Sequence, residues 1–220
     1  MNTLRSAAPV RPAGSSRLLL ATKRGMDIVF ASTFFLLLGW VYALIWLGVL
    51  LTSGRPGIYK QPRYGRDGRI FSFYKFRSMA PDADAVLARH LRENEEARRQ
   101  WDKYQKLDPD PRITRFGAFL RKYSLDELPQ FWNVLKGDMS MVGPRPCMFA
   151  QKVLYGSYWS SYCAVRPGIT GLWQVSGRNE VSYRRRAAMD AAYVATLSVR
   201  QDLAILLKTF AVVAGAHGSR

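Results

Sequence analysis

The sequence predicts a mainly helical α+β protein. It has an N-terminal membrane-inserted helix, then a cytoplasmic domain with interfacial amphipathic helices and one small β-hairpin. Three observations predict this. Residues 28–51, IVFASTFFLLLGWVYALIWLGVLL, carry no charge. Arg66-Asp67-Gly68-Arg69 is a hairpin turn signal between two short β-like stretches. Apolar residues recur at helical spacing in the second half.

Composition narrows the class. At 220 residues the chain can bury a real core. Its 33 Lys+Arg against 16 Asp+Glu give a net charge of +17. That excess suits an anionic partner: nucleic acid, anionic lipid or a phosphorylated substrate. Cys147 and Cys163 make no disulfide framework and read as ordinary thiols of a reducing compartment. His90 and His217 are far apart and lack ligand-spaced partners, which argues against structural zinc.

Taken in order, residues 1–22 read as a flexible arm, rich in Ala, Arg, Pro and Ser. Residues 23–52 form the membrane segment. Its uncharged run would be about 36 Å long as a helix, enough for a hydrocarbon core of about 30 Å. It is too long for a cleaved signal, and too aromatic for a core helix. Lys23 and Arg24 precede it. Arg55, Lys60, Arg63, Arg66, Arg69, Lys75 and Arg77 follow, with Asp67 the one acid among them. Both flanks therefore favour the cytoplasmic side. Either the short N-terminus crosses, or the segment bends near Gly39 and returns.

Residues 53–215 are the cytoplasmic domain, and 216–220 a tail. After the hairpin, residues 82–106 read as one solvated helix, with Val86, Leu87 and Leu91 as a partial apolar face. LDPDPR breaks the chain. Ile113, Phe116, Phe119, Leu120 and Tyr123 then mark an amphipathic helix bordered by Arg112, Arg115, Arg121 and Lys122, suited to a membrane interface or to the domain core. Ser124-Leu125-Asp126-Glu127 fits a helix-opening capping box. From Gly143 the chain is turn-rich, with Gly168, Gly171 and Gly177 interleaved with Arg166 and Arg178, a pattern that suits phosphate oxygens or ordinary turns. No Walker loop or dinucleotide fingerprint occurs. Residues 191–214 read as a last helix, and Asp202 as a helix-start acid.

Several long motifs carry a family resemblance. Lys23-Arg24 and Asp27 lead into the apolar run. FYKFRSM (73–79), DPRITRFGAFLRKYSLDELPQFWNVLKGDMSMVGPRP (110–146) and VRPGITGLWQVSGRN (165–179) follow in order. The sequence resembles the bacterial sugar transferases, the small monotopic phosphoglycosyltransferases, over residues 22–215. Its tail resembles that of undecaprenyl-phosphate galactose or glucose phosphotransferases of exopolysaccharide synthesis.

The resemblance implies a reaction. A sugar 1-phosphate moves from a UDP-sugar to undecaprenyl phosphate, and UMP is released. It implies a bacterial inner-membrane protein with its catalytic domain on the cytoplasmic face, and a re-entrant membrane helix. At the place of the family's usual Ser-Pro kink this chain has Gly39-Trp40. The implied roles are Asp126 as nucleophile and Glu127 as ligand of Mg²⁺, the expected cofactor. Lys75, Arg121 and Arg145 would lie near the phosphates, and Asp202 would be a further active-site acid. Arg166 and Arg178 are candidates for nucleotide or sugar contacts. If Asp126 opened a helix, the dipole there would favour its ionised form. Adjacent helical residues point about 100° apart, which would give the two acids separate jobs.

The expected partners are the UDP-sugar, undecaprenyl phosphate and membrane lipids, without nucleic acid; a homodimer stays open. Two rival readings remain. One is a membrane-anchored binder of lipid or nucleic acid without chemistry. The other is a glycosyltransferase that releases UDP.

Overall fold

The protein is described by a computed structural model covering residues 16–104, 107–176 and 181–214. Helices dominate, with two small two-stranded sheets. The chain divides into two compact units. One takes in the described parts of Met1–Leu38, Lys60–Tyr74 and Pro129–Gly218; the other consists of Gly39–Tyr59 and Lys75–Leu128.

Helix α1 (Arg17–Ser53) runs through both. It is helical throughout, including Gly39, and at 37 residues is about 55 Å long. It begins at Arg17, inside the stretch read from sequence as an arm; residues 1–15 lie outside the described residues. The helix is apolar almost all round, as expected of a membrane helix. Leu36, Leu37, Trp40 and Leu51 are well exposed, Leu36 at 83 %.

In the first unit, Ala31 packs with Phe73, Val134 and Met139. The Phe34 ring stacks on Phe131, with centroids 4.0 Å apart. Asn133 of α5 (Gln130–Lys136) ties that helix to strand β2: its amide donates to the Ser72 carbonyl at 2.7 Å, and its side-chain oxygen accepts from Tyr74 N. In the second unit, Ile45 and Val49 of α1 pack with Phe76 and Leu120.

The predicted hairpin forms. Strands β1 (Ile58–Tyr64) and β2 (Ile70–Phe76) pair around a tight turn at Arg66–Gly68. Asp67 and Gly68 both take positive φ there, which Asp and Gly tolerate best. The free thiols of Cys147 and Cys163 also stand as expected.

Four expectations need correction. The charged stretch is two helices, α2 (Ala83–Glu93) and α3 (Glu95–Tyr104). Asn94 between them is extended, and its side-chain oxygen caps the second by accepting from Ala97 N at 3.0 Å.

The capping box is absent. Ser124 is left-handed (φ 56°) and its side chain caps nothing. An N-cap needs extended backbone, whereas Ser124 turns the chain after α4 (Arg115–Lys122). Asp126 and Glu127 thus occupy a separate 3₁₀ turn, Leu125–Glu127, and α5 starts only after Pro129.

The turn-rich region hides a parallel strand pair, β3 (Ser140–Val142) with β4 (Gly168–Thr170). Three-residue strands are too short for an alternation to be read. Their glycines have a steric reason: a Cβ on Gly143 would lie 2.5 Å from the Arg166 carbonyl, and one on Gly168 would strike Gly143 N.

The last helical stretch is broken at Thr196. Short helices α6 (Lys152–Tyr155) and α7 (Trp159–Cys163) precede α8 (Tyr183–Ala195), which ends there, and α9 (Val199–Ala214) follows.

Candidate active site

The acid pair sits on a turn held by its apolar neighbours. Leu125 and Leu128 pack on the cluster of Phe76 and Leu120, which fixes the backbone on both sides of Asp126 and Glu127. Asp126 is buried, at 7 % exposure. Lys75, one residue before Phe76 on β2, reaches both acids. Its Nζ lies 2.7 Å from Glu127 Oε1 and 3.3 Å from Asp126 Oδ2. The two carboxylates therefore converge on one cation, where helical geometry from sequence had suggested that they part.

Burial pushes the Asp126 carboxyl above its ordinary value. Lys75 pulls it down, Glu127 pushes it up again, and Arg121 pulls it down. Cations, not a helix dipole, thus favour the ionised acid here.

Arg121 is held in turn. Its Nε donates to Ser78 Oγ at 2.8 Å. The Ser78 carbonyl accepts from Thr114 N at 3.1 Å. Thr114 caps α4, accepting from Gly117 N at 2.9 Å. A Cβ at Gly117 would collide with the Ser78 carbonyl, so only glycine lets α4 approach this closely. Ser78 was missed from sequence although it lies in the FYKFRSM motif; a buried serine gives no signal until its partner is known. Beside this array Arg112 grips Asp110, with Nη2 to Oδ2 at 2.6 Å and Nε to Oδ1 at 2.9 Å.

The remaining expected residues belong to the other unit. Asp202, in the first turn of α9, is 3 % exposed. One oxygen meets Lys23 Nζ at 2.6 Å, and the other accepts from Tyr193 OH at 2.6 Å. Lys23 also donates to the Val142 carbonyl at 2.8 Å. Asp202 thus orients a basic residue of α1. Arg166 donates through Nε to the Gly137 carbonyl at 2.8 Å. Burial lowers its proton affinity, with Arg66 and Arg24 adding repulsion. Arg24 donates to the Val134 and Leu135 carbonyls, so two arginines satisfy the C-terminal end of α5. Arg145 is half-buried between the buried Pro144 and Pro146. Arg178 lies outside the described residues.

The acid pair fits a magnesium ion by its donor chemistry. Mg²⁺ takes one or two carboxylates, completing its shell with substrate phosphate and water. Asp126 and Glu127 already place two carboxylate oxygens around one positive charge. Among the described residues no group of three or more His, Cys, Asp or Glu side chains could hold a metal by itself.

The described residues thus combine a long apolar helix, consistent with membrane association, with a lysine-bridged acid pair. Residues 18–216 match the family described as bacterial sugar transferase, and the chain belongs to that family. It is 47 % identical over 205 residues to an uncharacterized sugar transferase of Haemophilus influenzae, covering 93 % of this chain and 43 % of that one. It is 45 % identical to the undecaprenyl-phosphate galactose phosphotransferase of Salmonella typhimurium, covering 93 % and 42 %. It is 43 % identical over 210 residues to the exopolysaccharide production protein ExoY of Rhizobium meliloti, covering 96 % and 91 %. The chain thus spans less than half the length of the first two and most of the third.

Proposed function

We propose that this protein transfers a sugar 1-phosphate, of galactose or glucose, from a UDP-sugar to undecaprenyl phosphate and releases UMP. The observation that carries this is the buried Asp126 carboxylate beside Lys75 and Glu127. The names of its Salmonella typhimurium and Rhizobium meliloti relatives support the lipid carrier and a role in exopolysaccharide synthesis.

The ionised Asp126 attacks the β-phosphorus. A bond forms between its oxygen and that phosphorus, and the bond to the bridging oxygen breaks. UMP leaves with the electron pair. The sugar phosphate then rests on Asp126 as an acyl phosphate, so one hard transfer becomes two easier ones. A phosphate oxygen of undecaprenyl phosphate attacks the same phosphorus and regenerates the free carboxylate. Lys75 and Arg121 offset charge on the phosphoryl oxygens. Glu127 is the carboxylate that would hold Mg²⁺, which supplies further charge neutralisation at the leaving phosphate. Arg145 and Arg166 are assigned to substrate phosphates or nucleotide.

The membrane helix is read as re-entrant, with the catalytic residues on the cytoplasmic face of the inner membrane. Support comes from where α1 packs. Lys23, Asp27, Ala31 and Phe34 contact the first unit. Val41, Tyr42, Ile45 and Val49 contact the second. A straight crossing would place about 20 consecutive residues among lipid, whereas both halves of α1 carry such contacts.

The test is nucleotide release by the purified protein in detergent, with Mg²⁺, undecaprenyl phosphate and UDP-galactose or UDP-glucose. UMP release that needs the lipid and is lost in Asp126→Asn is expected. Release of UDP would instead identify a glycosyltransferase, and no release with either sugar would remove the reading.

A further inference from the structure

Lys75 holds the carboxylate oxygens that a metal would need. Its ammonium is 2.7 Å from Glu127 Oε1 and 3.3 Å from Asp126 Oδ2. A Mg²⁺ ion bonded to that Glu127 oxygen would sit about 2.1 Å from it, and so within about 4.8 Å of Nζ. Nζ is only 24 % exposed as part of its side chain, and the acids are more buried still, so water screens the repulsion poorly. The protein also offers the ion too few ligands: no larger acid or histidine cluster exists among the described residues. A divalent ion arriving alone would meet both a resident cation and an incomplete shell.

A nucleotide diphosphate changes both conditions. Its oxygens complete the metal shell, and their negative charge gives the ammonium another partner. We propose that Lys75 is the resident cation of the Asp126-Glu127 turn, and that a divalent ion takes Glu127 only once nucleotide phosphates have drawn Lys75 away. Metal and nucleotide are then positively coupled through one side chain. The ammonium also offsets part of the charge of the two acids while the site is empty of substrate. The inference rests on the phosphosugar-transfer reading of this site and specifies its binding order.

The test measures binding and needs no turnover. Bound Mn²⁺ is read by electron paramagnetic resonance on the full chain in detergent, without nucleotide. Wild type and Lys75→Arg are expected to bind Mn²⁺ weakly. Lys75→Met should bind it about tenfold more tightly, within the usual range of such coupling, and adding Glu127→Gln should abolish that gain. Equal Mn²⁺ affinity in wild type and folded Lys75→Met would overturn the proposal. Should Lys75→Met not fold, wild type decides alone: it should gain bound Mn²⁺ on adding UDP, above that held by UDP in solution, and tight binding without UDP would overturn the proposal. Failure of the transfer reading is seen separately, as no binding of UDP-sugar at all.

Discussion

Lys23 and Asp202 form a buried ion pair of 2.6 Å between α1 and α9, across 179 positions of sequence. The second Asp202 oxygen is taken by Tyr193, and Lys23 also binds the Val142 carbonyl of β3. Nearby, Asp27 accepts from Ser140 Oγ at 2.9 Å and from Met141 N at 2.8 Å. The start of α1 is therefore bonded to a sheet strand, and not merely tethered by the chain.

Removing one partner leaves a buried charge alone. Lys23→Met or Asp202→Leu should each cost about 3–5 kcal/mol, read as a fall in the unfolding midpoint in detergent. The double variant should recover much of that loss, because a paired charge and a well-packed apolar pair differ far less. Strict additivity of the two losses would contradict the pairing.

Ser78 aims Arg121, and Arg121 favours the ionised form of Asp126. Ser78→Ala should therefore move the acid limb of the pH–kcat/KM profile to higher pH, since Asp126 loses part of what counters its burial. The loss in kcat/KM should be about tenfold, the scale of one hydrogen bond to a charged group. Arg121→Met should shift the limb in the same direction and further. An unmoved limb with lowered stability would reduce Ser78 to a packing role.

Two glycines separate close packing from open space. Gly117→Ala would push a methyl into the Ser78 carbonyl and should cost about 1–3 kcal/mol, with loss of activity as α4 and Arg121 shift. Gly39 has nothing within 4 Å of a would-be Cβ. Gly39→Ala should fold as well as wild type or better, alanine being favoured by about 1 kcal/mol in a helix. Thermal unfolding of both variants, with membrane flotation of the second, checks the pair.

What the sequence could reveal follows from the range of each interaction. The uncharged run and the Asp67-Gly68 turn are local signals: the turn forms as read, and the run is helical within a longer helix that starts at Arg17. The acid pair was legible as a candidate through the ordered motifs around it. Its geometry was not: Ser124 obeys a capping pattern in sequence yet ends α4 instead, a choice made by the packing of Leu125 and Leu128. Lys75 meets Glu127 across 52 positions, and Arg121 meets Ser78 across 43. Such pairs carry no periodicity and no spacing rule. Asp202 illustrates the same limit: a helix-start acid by position, it is bound by two groups that lie on other helices.

Asp190 on α8 is a buried acid that the proposed chemistry does not use. Tyr155 OH donates to its Oδ2 at 2.9 Å, but burial dominates and pushes the carboxyl from an ordinary value near 3.8 up to about 7. Around it, burial raises Cys147 to about 11 and Tyr155, Tyr162 and Tyr183 upward as well, so these neighbours stay neutral through the same pH range. Between these two values the folded protein keeps a proton that the unfolded chain has released. Stability from this group is therefore fully present below about pH 4 and is lost as pH rises through about 7. Asp190→Asn cannot ionise and should flatten this decline while keeping an oxygen for Tyr155. Unfolding midpoints of wild type and variant, taken in one detergent from pH 4.5 to 8, should converge at low pH and separate towards pH 8, with the variant the more stable. Parallel curves would mean that Asp190 ionises inside the folded protein as readily as outside it.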